Sequence, residues 1–277
     1  MRDWRPLGAV DPAVFLDTRT QLHYAVQVVS AAARALLAPR EDFSHTSLSW
    51  SEAIGGLSTD ALPGGLRVGL VFAEQRVLIS GPDGEPDGDD ASFALADRPL
   101  AEAYAWLSEA LTARLGRPVA AEPPTDYALP EHPLGEGAAW SGDNEAAAAL
   151  GKVYANMDLI LAPYAARADA SATRCWPHHF DIAVLITLEK GADAESSRTV
   201  GLGFTPGDSG IAFPYIYVTP WPYPEERATP ALPEGAAWNT EGWYGAVLSS
   251  ITFARGSGAE QRASAEGFLA AAVALLG

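Results

Sequence analysis

The chain has 277 residues, 48% of them hydrophobic and 19% charged, with a formal net charge of −17. That apolar content supports a sizeable core in one large or two small domains. A surface this acidic repels phosphate backbones and anionic lipid, so neither nucleic acid nor a membrane is an expected partner. The single cysteine, Cys175, rules out an internal disulfide and fits a reducing, cytoplasmic compartment. No apolar run approaches the ~20 residues of a membrane helix, and Met1 to Pro6 lacks the apolar core of a secretion signal.

Asp11-Pro12 reads as a helix start, with a capping acid followed by proline at the first helical position. Leu22, Val26, Val29, Ala33 and Leu36 then recur at helical spacing, and Pro39 ends the element. His45 to Trp50 reads as a strand, followed by strands over Leu66–Phe72 and Arg76–Ser80. Gly81 to Asp90 is a solvated acidic loop. A second helix begins at Pro99, buries Leu100, Tyr104, Leu107, Leu111 and Leu115, and stops at Gly116.

Residues 117–142, rich in proline and glycine, read as a connection. A third helix starts near Asp143 and is kinked or ended by Pro163. Strands follow near His179–Leu188, Thr199–Phe204 and Tyr215–Thr219. Thr219 to Pro224 mixes prolines with aromatics and is excluded as a central strand, because proline has no ladder donor. A last strand, Ala246–Phe253, leads to a helix opened by the capping box of Ser257 and Glu260.

The two parts of the chain echo one another. His45-Thr46-Ser47-Leu48 lies against His179-Phe180-Asp181-Ile182, and Val68-Gly69-Leu70-Val71-Phe72 against Val200-Gly201-Leu202-Gly203-Phe204, at nearly equal offsets. The expectation is an α+β protein built by internal duplication of a helix-plus-three-strand unit, with mixed or antiparallel sheets and helices on one face. Its parts are 1–116, a 117–142 connection, and 143–277, forming one compact unit. A further repeat, Glu136 to Trp140 against Glu234 to Trp238, falls at different points of the two parts.

Chemistry concentrates at Cys175-Trp176-Pro177-His178-His179-Phe180-Asp181. On a strand, His179 and Asp181 share a face, and a carboxylate beside an imidazole raises its basicity. His45 is the mirror position in the first part. His45, His179 and Asp181 are therefore the catalytic candidates, in a pocket for a small polar molecule. Tyr215, Tyr217, Trp221 and Trp176 are candidate ligand walls, forming an aromatic lid. No recognised metal-ligand spacing is present and no metal is expected, but His45, His179 and Asp181 offer three candidate ligands, and the residues leave open whether they hold a metal and what cofactor, if any, is used. Gly207-Asp208-Ser209-Gly210 matches the serine-protease nucleophile tetrapeptide without that family's histidine motif or disulfides. Gly201-Leu202-Gly203 lacks the third glycine and the helix of a dinucleotide fingerprint.

Leu16 to His23, Gly56-Leu57-Ser58-Thr59, Trp176 to Ala183, Gly203 to Gly207, Ala237-Trp238 and Phe268-Leu269 occur in the order found in an uncharacterised bacterial domain-of-unknown-function family. The chain resembles that family over nearly its whole length. It departs at His178-His179, where many members carry smaller residues. The resemblance implies a single compact unit and carries over no activity. Two readings follow. One is a small-molecule-binding protein or hydrolase-like enzyme with a His/Asp pocket; the other is a non-catalytic interaction or homo-oligomeric structural protein. The residues alone do not decide whether the chain is an enzyme.

Overall fold

A computed structural model describes residues 3–8, 12–82, 91–193 and 196–277. The acidic loop therefore lies, over residues 83–90, outside the described part. The protein is α+β, and the described residues form one antiparallel sheet of five strands and one of six. The chain divides into two compact units with boundaries unlike those expected from the repeat. The N-terminal unit is 9–151 with 175–180; the C-terminal unit is 1–8, 152–174 and 181–277. Residues 117–142 belong wholly to the N-terminal unit, where Val119, Ala121, Leu134 and Trp140 are buried.

In the N-terminal unit, α1 (Pro12–Leu36) packs against a meander of β1 (Ser49–Ser51), β2 (Gly56–Ser58), β3 (Arg67–Val71), β4 (Arg76–Ser80) and β5 (Ser92–Ala94). Leu22, Val26, Val29 and Ala33 of α1 are all essentially inaccessible, as the 3.6-residue period requires of a core face. α2 (Leu100–Leu115) lies against α1 and ends at Gly116, whose φ of 64° is the left-handed conformation glycine supplies at a helix C-terminus.

A second stripe of α1 is polar yet buried. His23, Gln27 and Ser30, spaced four and three residues apart, lie on one face of the helix. Each is satisfied by a loop. His23 Nε2 donates to the Pro177 carbonyl at 2.9 Å. Gln27 Nε2 donates to Pro177 O at 2.7 Å and to His23 O at 2.9 Å, while its Oε1 accepts from the Tyr127 hydroxyl at 2.6 Å. Ser30 Oγ donates to Thr46 O at 2.9 Å. On another face, Gln21 Oε1 accepts from Ser141 N at 2.9 Å. The helix thus fastens four loop segments.

The expected strand at His45 is instead a 3-10 turn, Ser44–Thr46. Local side-chain bonds compete with the extended conformation there: Asp42 Oδ1 accepts from Ser44 N, and Thr46 and Ser47 donate to the carbonyls of Phe43 and Ser44. Phe43 itself sits at φ 55°.

The six-stranded sheet has the order β10-β11-β9-β8-β7-β6. Its strands are β6 (Arg174–Trp176), β7 (Asp181–Glu189), β8 (Arg198–Thr205), β9 (Tyr215–Trp221), β10 (Ala236–Asn239) and β11 (Gly245–Ser249). α3 (Asn144–Ala165) runs from one unit into the other, and Pro163 falls in its last turn. The strand expected over Ala246–Phe253 stops at Ser249, whose side chain caps the short helix α4 (Ser250–Phe253). α5 (Gly258–Leu276) opens on the expected capping box. β9 runs on past the expected end at Thr219 as far as Trp221. Its ladder with β11 ends at Val218, so Pro220 is bordered by β8 alone and its missing donor is tolerated.

Ile182, Val184, Val200, Leu202, Phe204, Ile216, Val218, Ala246 and Leu248 are 0–1% exposed. The strand register places them on one face. α5 crosses β9, β8 and β11, and buries Ala265, Phe268, Leu269 and Ala272. Both units carry an antiparallel meander, but the second adds β10 beyond β11, out of chain order. The Glu-Gly-Ala-Ala-Trp echo has a local basis. Gly137 and Gly235 both take positive φ, and each precedes a short extended Ala-Ala-Trp that pairs with a neighbour.

His23 also stacks on Phe180 at 5.4 Å. Its burial, aided by Arg19 and His179, outweighs the Pro177 hydrogen bond and lowers its pKa to about 4. The folded value lies below the unfolded one, so this stabilisation is complete above about pH 6.5 and is lost as pH falls toward 4. The shift corresponds to a contribution of about 3 kcal/mol. Urea midpoints should fall between pH 7 and 4.5, and His23→Leu should flatten that slope. Parallel slopes in the two proteins would contradict the assignment.

Candidate functional site

The face of the C-terminal sheet opposite its apolar one is built differently. The register sets Ala183, Gly203, Tyr217 and Val247 in one row, and Leu185, Gly201 and Thr219 in the next. Two glycines in the middle strand leave a bare floor. The Tyr217 ring lies across it, and its hydroxyl donates to Asp181 Oδ2 at 2.5 Å. A Cβ on Gly203 would stand 2.9 Å from that hydroxyl, so the glycine is what lets the ring reach Asp181 diagonally across β8. Within Gly201-Leu202-Gly203, Gly203 thus makes room for an aromatic ring, while a Cβ on Gly201 would meet Thr219 and Leu185.

Trp243 completes the cluster. It stacks on Tyr215 at 6.3 Å and 17° and meets Tyr217 edge-on at 6.3 Å. Tyr215 and Tyr217 are also 6.3 Å apart, so the three ring centres form a nearly equilateral triangle. A Cβ on Gly245 would stand 2.5 Å from the Trp243 ring, so here too a glycine gives an aromatic its place. Tyr215 donates to Asp208 Oδ2 at 2.6 Å. Its pKa is raised by burial first and by the Asp208 bond and the Asp208 and Asp181 charges next, so its proton stays on.

Asp208 belongs to the Gly-Asp-Ser-Gly tetrapeptide. Its Oδ1 accepts from Gly210 N at 2.7 Å and Ile211 N at 2.8 Å, a side-chain-closed turn. Ser209 is exposed. The tetrapeptide is a turn that positions Tyr215.

The histidine segment lies in the N-terminal unit. Trp176 ends β6, and 177–180 form a turn in which Phe180 takes φ 54°. β7 begins only at Asp181, so strand alternation does not relate His179 to Asp181. His179 is exposed, with its ring 4.2 Å from that of His178. His178 leans on Tyr127 at 5.6 Å and on Trp176 at 6.2 Å. Burial first, and the His179 charge second, lower the His178 pKa to about 4 against the opposing pull of Asp126. His178 is therefore neutral at pH 7.

His45 is buried, and its Nδ1 accepts from the Arg40 backbone N–H at 3.1 Å, with Phe43 stacked alongside. That bond gives His45 a place in the turn. Of the seven residues singled out from sequence, Asp181, Tyr215 and Tyr217 come together, and Trp176 lies beside His178, next to His179. Trp221 is 39% exposed and packs on Tyr223 at 5.5 Å. Trp243 and Asp208 escaped the sequence reading, because their roles depend on register and on a turn. The Tyr-x-Tyr and Gly-x-Gly runs were the available signal, and the register sets Gly203 opposite Tyr217. Among the described residues no group of three or more His, Cys, Asp or Glu side chains could hold a metal ion.

The fold and this face define an α+β chain with an acid–aromatic cluster on an antiparallel sheet. Residues 8–249 match the model of a family of unknown function, DUF5996, and the chain belongs to that family. No curated protein and no solved structure matches it. No helix among the described residues is long and apolar enough to cross a membrane.

Gly203→Ala should break the Tyr217–Asp181 bond. Its Cβ would also stand 2.5 Å from Ile182 O and 2.7 Å from Ala183 Cβ. The expected cost is about 1–3 kcal/mol in chemical denaturation, the range for overpacking a filled site. Wild-type stability in this variant would show that the ring does not need the glycine.

Proposed function

We propose that this protein binds a small basic molecule over the Tyr215, Tyr217 and Trp243 rings, beside the Asp181 carboxylate. The observation that carries the reading is the ring triangle beside a buried acid. A cation above its middle lies within the ~6 Å of each ring centre over which cation–π attraction acts. The charge of −17 draws cations toward the surface. The Tyr215 and Tyr217 hydroxyls, each bonded to an aspartate, supply orienting hydrogen-bond partners. Binding is favoured over hydrolysis, because the Gly-Asp-Ser-Gly serine stands on an exposed turn whose aspartate is committed to backbone amides and Tyr215. A single buried cysteine supports a cytoplasmic setting, and the acidic surface supports a partner that is neither nucleic acid nor membrane.

Benzylamine is a suitable probe, and benzyl alcohol its uncharged control. Calorimetry should show benzylamine binding to the parent, and at least about tenfold weaker binding to Asp181→Asn, the loss of one charge-assisted contact. Tyr217→Phe should weaken it too while keeping the ring. Equal binding of amine and alcohol, or unchanged affinity in Asp181→Asn, would refute the proposal. A second reading is favoured by Leu185 and Trp221, 46% and 39% exposed and on the same sheet face. It is self-association through that face, and sedimentation would then show a dimer lost in Leu185→Glu.

A further inference from the structure

In the N-terminal unit the polar stripe of α1 extends one turn beyond Ser30 to Arg34, seven residues after Gln27 and on the same face. Arg34 Nη1 donates to the Tyr127 hydroxyl at 3.3 Å. That hydroxyl gives its own proton to Gln27 Oε1, so its lone pair is what Arg34 meets. The other terminal nitrogen, Nη2, is buried and has no acceptor among the described residues. A buried guanidinium N–H without an acceptor is costly. The favourable place of a cation in the last turn of a helix explains why a charge is there, but it provides no acceptor for Nη2.

The surroundings are donors and rings. Tyr104 on α2 lies within electrostatic reach of both Arg34 and Tyr127. Burial raises the pKa of both tyrosines, outweighing the lowering effect of Arg34, so both hydroxyls keep their protons at neutral pH. Tyr127 in turn carries the neutral ring of His178, with Trp176 beyond it. Asp126, exposed, is the acid whose charge reaches Tyr127 and His178. The Arg34 Nη1 partner is a phenol, not a carboxylate.

We propose that Arg34 Nη2, with Tyr104 and Tyr127, forms a binding site for the oxyanion of a small molecule. The anion accepts from Nη2, and the aromatic neighbours favour a flat body behind it. The site is separate from the amine site by unit and by charge, so each stands or falls alone. A carboxylate and a phosphate share the chemistry, and two probes distinguish them: benzoate and inorganic phosphate. In ¹⁵N-arginine NMR of the full chain, benzoate should shift the Arg34 side-chain resonance saturably. That resonance is assigned by its loss in Arg34→Lys. Calorimetric affinity should fall at least about tenfold in Arg34→Gln. Tyr104→Phe, which keeps the ring and the fold, should weaken it less. A shift with phosphate alone supports an oxyanion site for phosphate-bearing molecules. No shift with either probe, or equal affinity in Arg34→Gln folded as the parent, would overturn the proposal.

Discussion

A carboxamide buried in the middle of a helix has to find its hydrogen bonds in whatever packs against it, and Gln27 is that group. It is inaccessible, and its oxygen and nitrogen reach Tyr127 and Pro177, which lie 100 and 150 residues away in the chain. Leaving such a group unpaired costs about 1–3 kcal/mol per orphaned partner. The requirement therefore selects one arrangement of two loops that have little regular structure of their own. His23 repeats the grip on Pro177 from one turn earlier, and Ser30 holds Thr46 one turn later. Apolar burial supplies most of the drive to fold, while this stripe decides where the loops stop. Arg34 and His178 are then positioned by Tyr127, the residue Gln27 holds.

The C-terminal unit solves its problem with glycine. A six-stranded sheet covered on one face by α5 needs its other face organised without a second apolar layer. Gly203 and Gly245 leave hollows, Tyr217 and Trp243 occupy them, and Asp181 and Asp208 fix the phenols. Each ring buries area on the backbone while keeping its polar end bonded. The result is a rigid set of aromatic faces beside carboxylates.

The long helices were legible because they carry long-range periodicity, as in the Leu22–Ala33 face, and explicit boundary signals, Gly116 as a stop and the Ser257–Glu260 box as a start. The longer strands were legible as β-branched runs. The three- and four-residue strands β2, β5, β6 and β10 were not, because so few residues show no period. His45 misled because a histidine in a Ser/Thr-rich segment looks like a strand, whereas side-chain bonds to the local backbone turn it into a 3-10 step. His179 and Asp181 misled for a related reason: a single left-handed residue, Phe180, breaks the alternation on which their pairing rested. Tyr215, Tyr217 and Asp181 were each visible as unusual residues. Their meeting was not, because it depends on the β7–β8–β9 register, which no local window contains.

The pinning of loops by α1 is tested most directly by a double-mutant cycle on Gln27 and Tyr127, using Gln27→Leu, Tyr127→Phe and the pair, each unfolded in urea. A shared buried bond predicts that the double variant is less destabilised than the sum of the singles, with a coupling of about 1 kcal/mol or more. Additivity within about 0.5 kcal/mol would mean that Tyr127 is held by packing alone, and would contradict the account.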